Sequence, residues 1–280
     1  MTENEMARRR TVAIEAAWAA AAQCAAAATG TQSIRVKGRF DVVTETDGAV
    51  EREIAARLRS AFPDDRIVGE EGAEGQDTAS LAEPGLCWLL DPICGTDNFA
   101  HGLPLYCTNI VLLRDGDPVL AVVAEGARAG EILCAERGAG TWAIDASGKR
   151  RPLRVSDASG IVVFDLGYLP SYGRIERPLR IAGELIRRNR FALRILSTSA
   201  TLAQQARGAV AGNIIEEAKP WDLAGGALLL REAGAQVAGL DGTPWTIQSP
   251  CLISGSTPEV HAELLDCVAT ARAGLAANQA

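Results

Sequence analysis

Short apolar runs in the middle of the sequence are the feature that most limits its fold. Four of them, at 108–114, 119–125, 131–135 and 140–144, follow one another closely and are predicted to be strands. Asp115-Gly116 between the first two is a frequent hairpin turn, so we expect these two strands to pair. This part of the chain must therefore form a sheet.

The pattern changes after residue 150, where strands and helices alternate. Strands are predicted at 161–166, 191–195, 236–238 and 252–254, and helices at 177–188, 202–211, 222–233 and 258–276. Ahead of the central strands, helices are predicted at 4–29 and 47–58. We therefore expect an α+β half at residues 1–150 and an α/β half at residues 151–280, packed as one body.

The charge balance limits the partners. The 280 residues include 28 basic and 35 acidic side chains, a net charge of −7. Such a chain lacks the basic surface that nucleic acids and anionic membranes need, so neither is an expected partner. A small phosphorylated metabolite is compatible with this charge if metal ions or backbone amides neutralise the phosphate.

The N-terminal segment and the cysteines favour a cytoplasmic protein. The Ala-rich run 16–28 follows Arg8-Arg9-Arg10 as in a signal peptide, but Glu15 flanks it and Gln23 interrupts it. Alanine forms helices well and inserts into membranes poorly, so we predict a soluble helix. The seven cysteines contain no C-x-x-C pair, which fits reduced thiols better than a disulfide framework or a zinc ribbon.

Three carboxylates stand where predicted apolar elements begin or end. Glu70 follows a strand predicted at 66–68, Asp91 is expected to end a strand at 87–90, and Asp222 begins a predicted helix. Each has an ordinary alternative: an exposed turn at Glu70, a turn initiator at Asp91 and an N-cap at Asp222. A buried carboxylate is costly unless it is paired, capped or bound to metal, so together the three indicate a polar site.

The motifs around these carboxylates resemble the signatures of the inositol monophosphatase family. They read GEE at 69–71, WLLDPICGTDNF at 88–99 and WDLAGG at 221–226. Two weaker matches are DVVTETD at 41–47 and AERGAG at 135–140. The resemblance covers residues 37 to 265. It implies a layered α-β-α-β-α sandwich and Mg²⁺-dependent hydrolysis of a phosphate monoester.

The resemblance also implies a set of metal ligands. Glu70, Asp91 and the backbone carbonyl of Ile93 would hold one ion, and Asp91 and Asp222 would hold a second. Two or three Mg²⁺ ions are expected, with Mn²⁺ as an alternative. Carboxylate and carbonyl oxygens are the hard ligands that Mg²⁺ prefers, so the implied set is chemically consistent.

The phosphate and the attacking water are assigned in the same way. The backbone N–H groups of Gly95 and Thr96 would take phosphate oxygens at the start of a helix. The resemblance implies that the Thr96 hydroxyl orients the water, with Asp47 as its hydrogen-bond partner, and that Glu70 takes part in catalysis.

Position 94 departs from the family, because it is Cys where the family carries an Asp that binds the second metal and the substrate alcohol. A thiol is a softer ligand and is mostly protonated at neutral pH. Three interpretations of Cys94 follow. The first is a phosphatase with a weakened second metal site. The second is a phosphate-binding relative without activity, and the third is a protein whose site prefers softer metals.

The substrate side departs as well. Ser197 and Thr198 lie in a turn that resembles the family motif R-x-x-G-(S/T)-A-A, with Ser197 where Gly is usual. The family has a Glu seven residues before the Asp of its W-D motif, where this chain has Ile215. A one-residue deletion would bring Glu216 or Glu217 to that place, and the sequence does not distinguish them.

The expected substrate is inositol monophosphate, because Asn98-Phe99 matches the inositol-type members. Fructose-1,6-bisphosphate, histidinol phosphate and 3'-phosphoadenosine phosphate are alternatives, although Asp97 argues mildly against nucleotide substrates, whose phosphatases tend to have Lys there. A non-catalytic sensor of a phosphorylated ligand is the alternative from another class. Homodimers are common in the family, so a homodimer is expected.

Overall fold

The structure, a computed structural model, describes residues 1–28, 34–38, 41–72, 78–128, 130–156, 158–166 and 175–277. The helices are α1 (Glu3–Ala27), α2 (Glu45–Ala61), α3 (Thr96–Ala100), α4 (Glu176–Arg188), α5 (Ala200–Ala206), α6 (Pro220–Ala233) and α7 (Pro258–Ala277). The strands are β1 (Ile34–Gly38), β2 (Asp41–Thr44), β3 (Arg66–Gly69), β4 (Leu86–Cys94), β5 (Cys107–Arg114), β6 (Asp117–Glu125), β7 (Glu131–Glu136), β8 (Gly140–Asp145), β9 (Arg150–Leu153), β10 (Ile161–Asp165), β11 (Ala192–Ile195), β12 (Gly212–Ile215), β13 (Gln236–Ala238) and β14 (Leu252–Gly255).

The first sheet contains β3 to β9 in chain order. β3 is parallel to β4, and each later neighbour is antiparallel to the one before. The four runs predicted between 108 and 144 are β5 to β8, so the central prediction is confirmed. The sequence does not predict β9, because Arg150, Arg151 and Pro152 are exposed at the sheet edge and show no apolar alternation.

The second sheet has the strand order β11, β10, β12, β14, β13, and its first three strands are parallel. The helix predicted at 202–211 is wrong at its C-terminal end. α5 ends at Ala206, Gly208 has a φ of 81°, and β12 follows from Gly212. The sequence pattern does not predict β12, because the strand is short and begins with Gly and Asn, which are rare in strands.

The two sheets and the helices form five layers. α1 and α2 cover the outer face of the first sheet, α5 and α6 fill the space between the sheets, and α4 and α7 cover the second sheet. Adjacent strand residues face different layers: Ile214 packs toward α4 and α7, and Ile215 toward α5 and α6. The predicted α-β-α-β-α sandwich is confirmed.

A separate antiparallel hairpin of β1 and β2 precedes α2. The sequence does not predict it, and Val36 on β1 is exposed. β2 continues directly into α2, whose first turn carries Asp47, so the hairpin delivers a predicted site residue. No described helix is long and apolar enough to cross a membrane.

Candidate active site

A β-bulge in β4 turns Asp91 and Cys94 toward the same side of the first sheet. Asp91 lies opposite Asn109 and Cys94 opposite Cys107, so β4 advances by three residues while β5 advances by two. Regular alternation would place Asp91 and Cys94 on opposite faces. The prediction that the strand stops at Asp91-Pro92 is therefore wrong, because the bulge accommodates Pro92 and β4 continues to Cys94.

Asp222 completes a buried triad with Asp91 and Cys94. One carboxylate oxygen from each Asp and the thiol sulfur of Cys94 lie within 4.8 Å of one another. The Lys219 backbone N–H donates to Asp222 Oδ2 at 2.8 Å, and Cys94 Sγ donates to Asp222 Oδ1 at 3.6 Å. Lys219 is the N-cap of α6, so Asp222 lies in the first turn and its side chain is directed both to the helix start and to the triad.

The electrostatics of the triad indicate a place for a cation. Burial raises the pKa of Asp222 to about 6, and burial together with the charges of Glu70 and Asp222 raises the pKa of Asp91 well above its usual value. Asp91 Oδ1 is buried and accepts no hydrogen bond from the described residues. A divalent ion would bind this oxygen and offset the clustered carboxylates, so the residues present fit a metal.

Thr96 joins a second polar group beside the triad. Its Oγ1 lies 3.0 Å from Asp47 Oδ1 and 2.9 Å from the carbonyl oxygen of Ile93. Asp47 also accepts hydrogen bonds from the backbone N–H and the hydroxyl of Thr44, at 2.9 and 2.5 Å, and burial raises its pKa. Since a hydroxyl has one proton and two lone pairs, Thr96 can donate to Asp47 and still accept from a water.

Glu70 stands at the end of β3, next to the triad but outside it. Its backbone N–H donates to the Leu90 carbonyl at 3.1 Å, which holds it beside Asp91 on the neighbouring strand. Glu51 on α2 accepts from the next two backbone N–H groups of the turn, at 2.8 and 2.9 Å. The sequence gives no sign of Glu51, which looks like any acidic residue of an exposed helix face.

Gly95 is required by its conformation and by its surroundings. It caps α3 with a φ of 92°, and a Cβ there would lie 2.8 Å from the Leu105 carbonyl oxygen and 3.1 Å from Thr198 Oγ1. Thr198 in turn donates to the Cys94 carbonyl at 3.2 Å. The turn that carries Thr198 thus packs directly on Cys94 and Gly95.

Three residues that the sequence analysis missed surround the triad. The Ser199 backbone N–H donates to Cys94 Sγ at 3.2 Å. Asn109 Nδ2 donates to Ser199 Oγ at 3.1 Å and lies 3.4 Å from Asp91 Oδ2, and Cys107 Sγ lies 3.4 Å from Ser199 Oγ. Ser199 sits inside the recognised turn and could have been found there, whereas Asn109 and Cys107 become visible only from the strand register.

The other predicted substrate residues lie outside the triad. Ser197 is exposed, and its carbonyl accepts from Asn98 Nδ2 at 3.1 Å. Glu216 is buried directly after β12, where Arg177 Nε donates to its Oε2 at 2.6 Å, and Glu217 is half-buried. Which of them contacts substrate stays a prediction.

Comparison with known proteins agrees with this geometry. Residues 5–273 match the sequence profile of the Inositol monophosphatase family. The chain belongs to the inositol monophosphatase family. It is 32% identical over 276 residues to the Inositol-1-monophosphatase of Mycobacterium bovis, covering 94% of both chains. It is also 32% identical over 234 residues to the Nus factor SuhB of Xylella fastidiosa, covering 81% of both.

Solved structures extend the similarity to the whole fold. Thermotoga maritima IMPase superposes with a TM-score of 0.78 at 26% identity, covering 95% of this chain and 98% of that one. The inositol monophosphatase family is metal-dependent and acts on small phosphate substrates. Membership supports phosphatase activity for this chain, and the triad supplies a group of side chains that fits a metal.

Proposed function

We propose that this chain hydrolyses a small phosphate monoester, with inositol monophosphate as the first candidate, by means of a metal-activated water. The observation that carries the proposal is Asp91 Oδ1, which is buried, accepts no hydrogen bond from the described residues and lies in a triad with Cys94 and Asp222. A protein interior tolerates such an oxygen only where something else binds it.

In this proposal, some residues bind the metal ions and others orient the attacking water. Asp91, Asp222, Glu70 and the Ile93 carbonyl would hold Mg²⁺ or Mn²⁺, in two or three sites. When bound, these ions supply positive charge for the phosphate and lower the pKa of a bound water. Thr96 would accept a hydrogen bond from that water while it donates its own proton to Asp47, which fixes the direction of attack.

The proposed phosphate-binding residues lie at the start of α3. The proposed substrate-binding residues follow strands of the second sheet. The backbone at Gly95 and Thr96 would take phosphate oxygens, and Ser197, Thr198 and Glu216 would face the alcohol. Support comes from the direct packing of Thr198 on Gly95 and Cys94.

Cys94 weakens the second metal site in this proposal. It occupies a position in the triad where a carboxylate would offer a charged, hard oxygen, and a thiol offers a soft and largely protonated sulfur. The hydrogen bond with the Cys107 thiol, then burial and the nearby carboxylates, raises the pKa of Cys94 well above its usual value. We therefore propose a phosphatase that needs a high Mg²⁺ concentration.

Two alternatives remain distinguishable from this proposal. A catalytically impaired relative would bind a phosphorylated ligand without releasing phosphate. A phosphatase for fructose-1,6-bisphosphate, histidinol phosphate or 3'-phosphoadenosine phosphate would turn over one of these esters faster than inositol monophosphate. A cytoplasmic homodimer is proposed for the chain by resemblance to the family.

The test is a panel of these four esters, assayed for phosphate release over a titration of Mg²⁺ and of Mn²⁺. We expect metal-dependent release that is fastest with inositol monophosphate and abolished by a chelator. Binding of an ester by calorimetry, without release at any metal concentration, would establish the impaired relative instead. Release that persists in excess chelator would contradict the metal-activated water.

A further inference from the structure

Two cysteines face each other across the strands that build the site. Cys94 at the end of β4 is the register partner of Cys107 at the start of β5. Both side chains lie on the same side of the sheet, in the apolar cluster that contains α6. Directly opposed residues of antiparallel strands have Cα atoms about 4.5–5.5 Å apart, inside the range of about 4.4–6.8 Å that disulfides span. The register therefore places the two cysteines where a disulfide can form.

This juxtaposition singles out one pair of thiols. All seven cysteines lie in the described part of the chain, and all are free. The other two cysteines on strands face different residues: Cys87 lies opposite Leu113, and Cys134 lies opposite Val122 and Trp142. Each of the other strand cysteines therefore lacks a thiol directly opposite.

The two sulfurs differ in access and in surroundings. Cys94 is 7% exposed and Cys107 is fully buried, so a small oxidant reaches Cys94 first. The Ser199 backbone N–H donates to Cys94 Sγ at 3.2 Å, so a backbone amide already holds that sulfur in place. Ser199 Oγ lies 3.4 Å from Cys107 Sγ, so the same residue touches both sulfurs.

We propose that Cys94 and Cys107 form a reversible disulfide under peroxide and that this bond switches off the metal site. Peroxide transfers one oxygen to the Cys94 sulfur, giving a sulfenic acid and releasing water. The Cys107 thiol then attacks that sulfur, the S–S bond forms, and a second water leaves. Each disulfide thus consumes one peroxide and two thiol hydrogens.

The switch acts on the triad through Cys94. A disulfide sulfur has no proton to donate to Asp222 Oδ1, and it no longer offers a thiolate to a metal. Its own formation is independent of the proposed hydrolysis, because it depends only on the two thiols and the strand register. A protein that hydrolyses no ester at all would still form the bond.

The test counts thiols and maps the bond in the intact protein. Wild-type protein is treated with hydrogen peroxide at mildly alkaline pH, and its remaining thiols are alkylated. Trypsin alone cannot locate the bond, because residues 67–114 contain no Lys or Arg before Arg114 and hold both cysteines in one peptide. Chymotrypsin, which cleaves after Phe99 and Tyr106, separates them unless the disulfide joins the fragments.

We expect a disulfide between the two fragments, the loss of two thiols and full recovery with dithiothreitol. If the wild type hydrolyses a phosphate ester, we expect the disulfide to lower its turnover at least tenfold, and dithiothreitol to reverse this loss. Cys107→Ala should instead carry Cys94 to a sulfinic acid that dithiothreitol does not reduce. The control Cys134→Ser should behave as the wild type.

Unlinked fragments after peroxide, or thiol loss that maps to other cysteines, would overturn the proposal. So would a dithiothreitol-reversible loss of two thiols in Cys107→Ala, which lacks the second cysteine of the pair. If that variant does not fold, the wild-type peptide map decides alone. A linked peptide in a protein without any phosphatase activity would uphold the disulfide and contradict the proposed function, so the two failures are distinct.

Discussion

Two buried clusters of charged residues in the described part of the chain differ in how their charge is balanced. Where α5 ends against β6 and β7, Arg207 is 5% exposed and lies 2.8 Å from Glu125 and 2.5 Å from Glu131. Burial raises the pKa of Glu125, and the Arg207 charge opposes that rise. Arg151 pairs with Glu131 as well, so two basic side chains face two acidic ones and the cluster needs no cation from outside.

The triad of Asp91, Cys94 and Asp222 has no such partner. No Arg or Lys whose side chain the structure describes forms an ion pair with either carboxylate, and the charge of Lys219 offsets only part of the burial at Asp222. Clustered acids whose charge the fold leaves uncompensated are characteristic of functional sites. The contrast supports a structural role for the first cluster and the proposed cation site at the second.

The largest effect should come from removing the cation of the balanced cluster. Arg207→Met keeps the apolar stem but leaves Glu125 buried and unpaired, so we expect a loss of about 3–5 kcal/mol in the free energy of unfolding. Denaturant unfolding measures this loss. Turnover per folded molecule should not change, because Arg207 is no part of the triad. A stability near that of the wild type would mean that the ion pair is dispensable.

The opposite result is expected at Asp91. Asp91→Asn keeps the shape and removes the charge, so phosphate release should fall by at least ~10²-fold. The metal-free melting temperature should stay the same or rise, because an uncompensated buried charge is gone. Steady-state kinetics and calorimetry measure the two quantities. Near-normal phosphate release, or a stability loss as large as that of Arg207→Met, would contradict the functional difference between the two clusters.

Much of this contrast could be predicted from the sequence, because motif residues carry one of the clusters. Glu70, Asp91, Thr96 and Asp222 stand in recognisable motifs, and the alternating apolar runs predict the strands that hold them. The Arg207 cluster has no motif, since its members come from three elements that meet only in the fold. Paired charges leave no local signal.

The parts that could not be predicted depend on register. Asp91-Pro92 looks like the end of a strand, and only the bulge shows that β4 continues and turns Cys94 toward Asp91. Asn109 and Cys107 reach the site because they lie opposite Asp91 and Cys94 on β5. Strand pairing over a long connection is set by tertiary contacts, so no local pattern in the chain records it.

A smaller effect is expected from restoring the charge that the triad lacks. Cys94→Asp should lower the half-saturating Mg²⁺ concentration by about tenfold, a typical effect of improving a metal's immediate surroundings. Turnover at limiting Mg²⁺ should rise in parallel. The control Cys94→Ala removes the sulfur and should require at least as much Mg²⁺ as the wild type. No gain in Cys94→Asp would mean that position 94 is not the weak point of the site.

The smallest effect is a pH dependence of the stabilisation by Mg²⁺, which only the unbalanced cluster should cause. The pKa of Asp222 rises from 3.8 to about 6 on folding without metal, so the folded protein holds more protons than the unfolded chain between these values. Metal-free stability should therefore decrease as the pH rises from about 4 to about 6. Mg²⁺ competes with the bound proton, so its stabilising effect should grow through the same window.

Thermal melts with and without Mg²⁺ measure this directly. Going from about pH 5 to about pH 7.5, we expect the Mg²⁺-induced rise in melting temperature to increase by a few degrees, since about 1 kcal/mol shifts a chain of this size by roughly 2–4 °C. Asp222→Asn has no titrating group at that position and should flatten the dependence. The same slope in Asp222→Asn and the wild type would show that the metal does not displace a proton from Asp222. The metal site would then have to be assigned to Glu70 and Asp91 instead.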